Sequence, residues 1–142
     1  MSEGQRKAAQ GFIQMLPLSR ALGMVVEEIG PGYAVISMGW DAGLVGDPKT
    51  GVIHGGAVSA LMDTSGGAAV MAHPDGPAST ATISLRIDYM RPATPGQRIV
   101  ARAECHHITR SVAFIRAVAR DDGDEPVATA TGSFTVERMA KP

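Results

Sequence analysis

The stretch GVIHGGAVSALMDTSGGAAV, residues 51–70, holds the residues best suited to chemistry: a His54-Gly55-Gly56 entrance and one carboxylate, Asp63, eight residues past Gly55. The side chains around them are small or apolar, so Asp63 is the lone charge of the segment. A buried carboxylate is costly unless it is paired, hydrogen-bonded or retained for a task. Helical spacing sets Ser59 and Ala60 one turn before it and Gly66 and Gly67 one turn after, which clears its face of bulk. At the other pole, the N–H groups of Gly55 and Gly56 fall in a first helical turn, where they lack intrahelical acceptors and the dipole favours negative charge. Such donors suit a carbonyl oxygen turning into an oxyanion. Glycine there lets a substrate approach without a Cβ in the way.

The two poles cannot serve one reacting carbonyl from a single helix. Eight residues at a rise of about 1.5 Å hold Gly55 and Asp63 roughly 12 Å apart. Two antiparallel copies of the helix about a two-fold axis would bring Gly55 of one chain to Asp63 of the other and create two equal sites.

The elements that must position these residues follow from periodicity. The helix runs from Gly55 or Gly56 to about Ala72 and stops before His73-Pro74. Apolar and small residues surround it, which predicts burial on all sides. Ahead of it, Ala8, Ala9, Phe12, Ile13 and Leu16 recur at helical intervals and predict a short amphipathic helix over Gly4–Leu16 that Pro17 stops. Two valine- and isoleucine-rich runs, about 24–29 and 33–40, flank Gly30-Pro31-Gly32 and read as a hairpin, followed by a polar loop from Asp41 to Gly51.

After residue 80 the pattern turns to period two. Ile83, Leu85, Ile87 and Tyr89 share one face of a half-exposed strand, and Thr82, Ser84, Arg86 and Asp88 the other. Ile99, Ala101, Ala103 and Cys105 alternate with Arg98, Val100, Arg102 and Glu104, and two more strands run through SVAFIRAVAR and PVATATGSFTVER. An antiparallel sheet with one long apolar helix against it is an α+β layer architecture. Its open edges predict a homodimer joined edge to edge.

At 142 residues the chain is expected to form a single domain over 1–142, with a core of about 16–136 behind the short N-terminal helix. A net charge of −1 and 4% aromatic residues argue against a nucleic-acid partner, which needs a positive field and stacking platforms. Cys105 is the only cysteine, which excludes an intrachain disulfide and favours a reducing compartment. Gly11 and Gln14 interrupt the AAQGFIQML run, so it does not read as a signal peptide, and no run approaches the ~20 apolar residues of a membrane span. The expectation is a cytoplasmic protein with no membrane partner. His106 and His107 beside Cys105 point to opposite faces of a strand, which argues against a metal site. Ser59 and Ser65 lack the G-x-S-x-G elbow of a serine hydrolase.

Two motifs taken together, DPKTGVIHGGAVSALMD at 47–63 and TATISLRIDYMRPATPG at 80–96, resemble the hotdog-fold acyl-CoA thioesterases, in the branch that includes the phenylacetic-acid-pathway enzymes. The likeness spans about Leu16 to Val136. It implies an antiparallel sheet wrapped around a long central helix and hydrolysis of an acyl-CoA thioester by a homodimer or a dimer of dimers. It further implies that the Gly55 amide polarises the thioester carbonyl while Asp63 of the partner subunit acts as nucleophile or as general base for water. His54 becomes a polar contact near the thioester, with Gly56 beside it, and Thr82 a hydroxyl near the attacking water. Asp47 stands where many members carry Asn, so an orienting amide is missing from this loop and substrate range or rate is expected to respond.

A thioester suits such sparse machinery, because a thiolate leaves without strong protonation. No metal or cofactor is expected, coenzyme A being part of the substrate. Its phosphates call for basic contacts, for which Lys49, Arg86, Arg91, Arg110 and Arg116 are the candidates. Two other functions fit the same frame: a non-catalytic module that binds acyl-CoA, with Asp47 marking a lost working loop, and a hotdog enoyl-CoA hydratase or dehydratase. The latter chemistry usually wants a His and an acid converging on the α- and β-carbons.

Overall fold

The alternating segments pair as their period requires. The computed structural model describes residues 2–139. Helices α1 (Glu3–Met15) and α2 (Pro17–Ala21) lead into strands β1 (Met24–Gly30) and β2 (Tyr33–Met38). A 3-10 turn at Ala42–Leu44 and the short strands β3 (Val45–Asp47) and β4 (Val52–Ile53) then precede helix α3 (Gly55–Met71). Strands β5 (Thr82–Tyr89), β6 (Ile99–Ile108), β7 (Val112–Arg120) and β8 (Ala128–Thr135) complete the chain. Six of the strands form one sheet in the order β1-β2-β6-β7-β8-β5, antiparallel at every step. Helix α3 lies across β2, β6 and β7, and the sheet curls around it.

The core forms where α3 meets the sheet. Val58, Leu61, Met62 and Val70 of the helix are buried against Ile36, Met38, Ile99, Ile115 and Phe134. Gly66 allows the closest approach, since a Cβ there would stand 2.9 Å from the Phe134 ring. Burial on all sides of α3 is not found. Ser59, Ala60, Asp63, Thr64, Gly67 and Ala68 are only half-buried in the protomer, because one sheet covers one face of a helix and leaves the other to cavities.

Helix α1 ends at Met15, close to Pro17 as expected, and Pro17 itself opens α2 at its first position, where its missing N–H is no loss. Two local expectations are corrected. The loop from Asp41 to Gly51 contains β3, which pairs with β4 just beyond it, ties Val45 to Ile53 and brings the chain back to the start of α3. The faces of β5 also change at its beginning. A β-bulge between Thr82 and Ser84 places two steps of β5 against one of β8. Thr82 therefore turns toward α3 instead of to the solvent face, and Ile83, expected beside Leu85 and Ile87, is left 56% exposed.

The two sheet edges are treated differently. At β1, the side chain of Gln10 covers the edge: the Val26 N–H donates to Oε1 at 2.6 Å, and Nε2 donates to the Met24 carbonyl. Strand β5 has no strand beyond it and stays open. Among the described residues no helix is long and apolar enough to cross a membrane.

Candidate active site

The entrance to α3 is built by a histidine cap. His54 has extended backbone (φ −58°, ψ 132°), and its Nδ1 accepts the Gly56 N–H at 2.8 Å, which leaves Nε2 to carry the ring proton. The Ala57 N–H closes onto the His54 carbonyl at 3.0 Å, and the His54 N–H onto that of Leu44 at 2.8 Å. Gly46 permits this crossing, since a Cβ on it would lie 2.7 Å from the His54 Cα. The two glycines thus differ. Gly56 has given its N–H to the cap, while the Gly55 N–H meets no acceptor among the described residues. It points out of the helix with the positive end of the dipole behind it.

Asp63 sits two turns further along, on the half-buried face. The Thr82 hydroxyl donates to its Oδ1 at 2.6 Å, which fixes the carboxylate and leaves Oδ2 open. Both residues line a cavity of about 660 Å³ between α1, α3, the start of β5 and the inner face of β1 and β2. Asp63 is the only charged residue of that lining, which is otherwise apolar or small, with Phe12 and Ile13 of α1 and Leu16 just beyond it as its roof. A second cavity of about 310 Å³ opens beside His54 and Gly56, walled by Leu18 and Leu22.

The structure gathers the expected residues into two groups. Asp63 and Thr82 share one cavity, while His54, Gly55 and Gly56 lie together at the helix entrance beside the other. Asp47 joins neither. Its carboxylate accepts from the Lys49 N–H at 3.0 Å and the Thr50 hydroxyl at 2.9 Å and so closes its own turn. Arg91 is held by the fold. All five of its N–H groups are engaged, two on Asp121 and three on the carbonyls of Pro92 and Glu125. The Asp121 side chain is buried and also accepts the N–H groups of Thr94 and Gly123. The Arg91 guanidinium holds the Asp121 carboxyl well below the usual carboxylate range. Lys49, Arg86, Arg110 and Arg116 are exposed and line neither cavity.

The sequence reading missed Tyr89 and Ser59 as parts of the site. The Tyr89 hydroxyl donates to the Gly55 carbonyl at 2.7 Å and lies 2.5 Å from the Ser59 hydroxyl. The available signal was a phenol in an apolar register, since a tyrosine hydroxyl held against protein finds a partner. Cys105 plays no comparable part, because burial pushes its thiol pKa up and keeps it protonated.

A six-stranded antiparallel sheet curled around one long helix, with a glycine-gated helix entrance, is the hotdog fold. The chain belongs to the thioesterase superfamily, whose model matches residues 50–128, from just ahead of His54 to the first residue of β8. The medium/long-chain acyl-CoA thioesterase YigI of Escherichia coli K12 is 25% identical over 138 residues, covering 88% of each chain. Among solved structures, a protein of Pseudomonas aeruginosa is 34% identical with a TM-score of 0.80, covering 95% of this chain and 98% of its own. A mutant of the phenylacetic acid degradation protein PaaI from Thermus thermophilus is 33% identical with a TM-score of 0.75, covering 84% and 98%.

Proposed function

We propose that this protein is an acyl-CoA thioesterase that works as a homodimer, each site combining the Gly55 N–H of one protomer with Asp63 of the other. The observation that carries the reading is the division of labour along α3. A free N–H donor stands at its entrance, and a carboxylate fixed by Thr82 stands on a cavity wall two turns away. The separation of roughly 12 Å is what a two-fold partner would close.

In the reaction, the thioester carbonyl oxygen rests on the Gly55 N–H and Asp63 takes a proton from water. The water oxygen then attacks the carbonyl carbon, and the charge that develops on the carbonyl oxygen is met by the amide and the helix dipole. Collapse breaks the C–S bond, and the departing thiolate receives the proton held by Asp63. The products are a carboxylic acid and free coenzyme A. No cofactor enters the balance. Direct attack by Asp63 would pass instead through a mixed anhydride, and single-turnover hydrolysis in heavy-oxygen water distinguishes the two by the label found in the Asp63 carboxylate.

The apolar cavity beside Asp63 suits the hydrocarbon part of the substrate. Its volume of about 660 Å³ has room for a medium or long aliphatic acyl chain, and it offers no basic group to any charge on that chain. The named activity of the YigI relative supports this substrate class. The test is thiol release across a ladder of straight-chain and aryl acyl-CoAs. Asp63→Ala should abolish release from every member while the thermal midpoint is kept; undiminished turnover would refute the assignment.

A further inference from the structure

A continuous chain of hydrogen bonds crosses the helix entrance. Tyr89 reaches it from the far end of β5, 34 residues away in sequence. Its hydroxyl has one proton, which goes to the Gly55 carbonyl at 2.7 Å, so the Ser59 hydroxyl must be the donor in the 2.5 Å contact between the two side chains. The Gly55 carbonyl belongs to the same peptide unit as the Gly56 N–H, which donates to His54 Nδ1. That peptide is therefore held from both ends, and each bond polarises the next. The Tyr89 ring also packs beside Gly55, its Cε1 and Cζ 3.4 Å from where a Cβ would be. Among the backbone donors of the entrance, the Gly55 N–H is the one left unused within the described residues.

We propose that Tyr89, assisted by Ser59, is a positioning residue that aims the Gly55 N–H at the thioester oxygen. The proposal rests on the reading of Gly55 as the oxyanion donor. A helix entrance is a frayed end, and an oxyanion donor acts only if it is fixed before charge develops. The Tyr89 hydroxyl supplies that fixity from a neighbouring strand without touching the substrate, and His54 supplies it from the other side.

The test compares Tyr89→Phe, which keeps the ring against Gly55 and loses only the hydroxyl, with Ser59→Ala and with Asp63→Ala as a reference. Tyr89→Phe should lower kcat by about 10-fold, less than the loss of an oxyanion donor outright, with KM within about twofold of the parent. Ser59→Ala should lower kcat by a smaller factor, and the double variant should be no worse than Tyr89→Phe alone, because the two act in series. A purely structural role would not move the following readout. A trifluoromethyl ketone analogue of the acyl-CoA, bound as its hydrated anion, should lose affinity in Tyr89→Phe in step with kcat/KM. A thioether analogue without a carbonyl should bind as before. Unchanged kcat in Tyr89→Phe alongside a dead Asp63→Ala enzyme overturns the positioning role and leaves the thioesterase reading standing. Equal losses for both analogues also overturn it. Full turnover by Asp63→Ala overturns the functional reading and this proposal with it.

Discussion

Gly55→Pro removes the N–H at the helix entrance and sets a pyrrolidine ring in its place. Gly55 is the first residue of α3, its φ is negative, and its N–H has no partner within the described residues. Proline is favoured at this position of a helix because it lacks only the hydrogen that the helix does not use. The residue before a proline is pushed to extended backbone, and His54 is already there at φ −58° and ψ 132°. A Cβ at Gly55 would meet the Tyr89 ring at 3.4 Å, an ordinary van der Waals contact. Folding should therefore be unharmed, with stability unchanged or raised by about 0.5–1 kcal/mol through the stiffer unfolded chain. The reaction should not be spared. Loss of one oxyanion donor costs about 10²–10³ in kcat, or roughly 3–4 kcal/mol of transition-state stabilisation. Thiol release measured beside the thermal midpoint separates the two effects. The variant then allows a second measurement. Purified Gly55→Pro and Asp63→Ala chains, each inactive, are mixed in equal amounts and allowed to exchange subunits. Half of the dimers become mixed, and each mixed dimer has one intact donor-and-carboxylate pair of two, so about a quarter of the parent activity should return. No recovery after verified exchange would refute the division of the site between protomers, and an active Gly55→Pro enzyme would refute the amide's role.

Neighbouring glycines of α3 should respond in opposite directions to the same change. A methyl at Gly66 would stand 2.9 Å from Phe134 Cζ and 3.3 Å from Ile115 Cδ1, both in buried side chains, so Gly66→Ala should cost about 1–3 kcal/mol of overpacking against a helix gain of about 1. At Gly67 the nearest atom is 3.8 Å away, and Gly67→Ala should raise stability by roughly 0.5–1 kcal/mol in thermal unfolding; equal shifts in the two variants would contradict the packing. Asp121 has its folded pKa depressed by Arg91, so its contribution is present above the ordinary carboxylate pKa of about 4 and is lost as pH falls through that range toward the folded value. Asp121→Asn should lower the thermal midpoint at neutral pH and flatten its fall between about pH 5 and pH 3, and a slope equal to the parent's would remove Asp121 from the acid response.

What the sequence disclosed was what local geometry dictates. The bounds of α3 followed from Gly55 and Pro74, and the strands from a two-residue alternation that any half-buried sheet imposes. Asp63 stood out because no other charge shares its helix. What stayed hidden depended on partners distant in the chain. Nothing near Arg91 in sequence reveals Asp121, 30 residues on, as the carboxylate that takes it. Strands β3 and β4, with three residues and two, are too short to show a period. Tyr89 was read for its ring and not for its hydroxyl, whose acceptor lies on an element formed much earlier in the chain.

The bulge in β5 explains how one strand serves both poles of the site. Thr82 and Tyr89 are seven positions apart, and an odd separation on a regular strand sends two side chains to opposite faces. Yet both reach α3, Thr82 at the Asp63 carboxylate and Tyr89 at the Gly55 carbonyl. The extra residue inserted between Thr82 and Ser84 reverses the alternation at the beginning of the strand and brings the two onto one face. Ile83 is the residue displaced, which accounts for an isoleucine left more than half exposed on an open edge. The spacing between the donor and the carboxylate along α3 is thus set twice, once by the helix rise and once by the two ends of β5. A homodimer joined along that open edge would hold β5 from its other side as well, so that assembly and the geometry of the site would depend on the same strand.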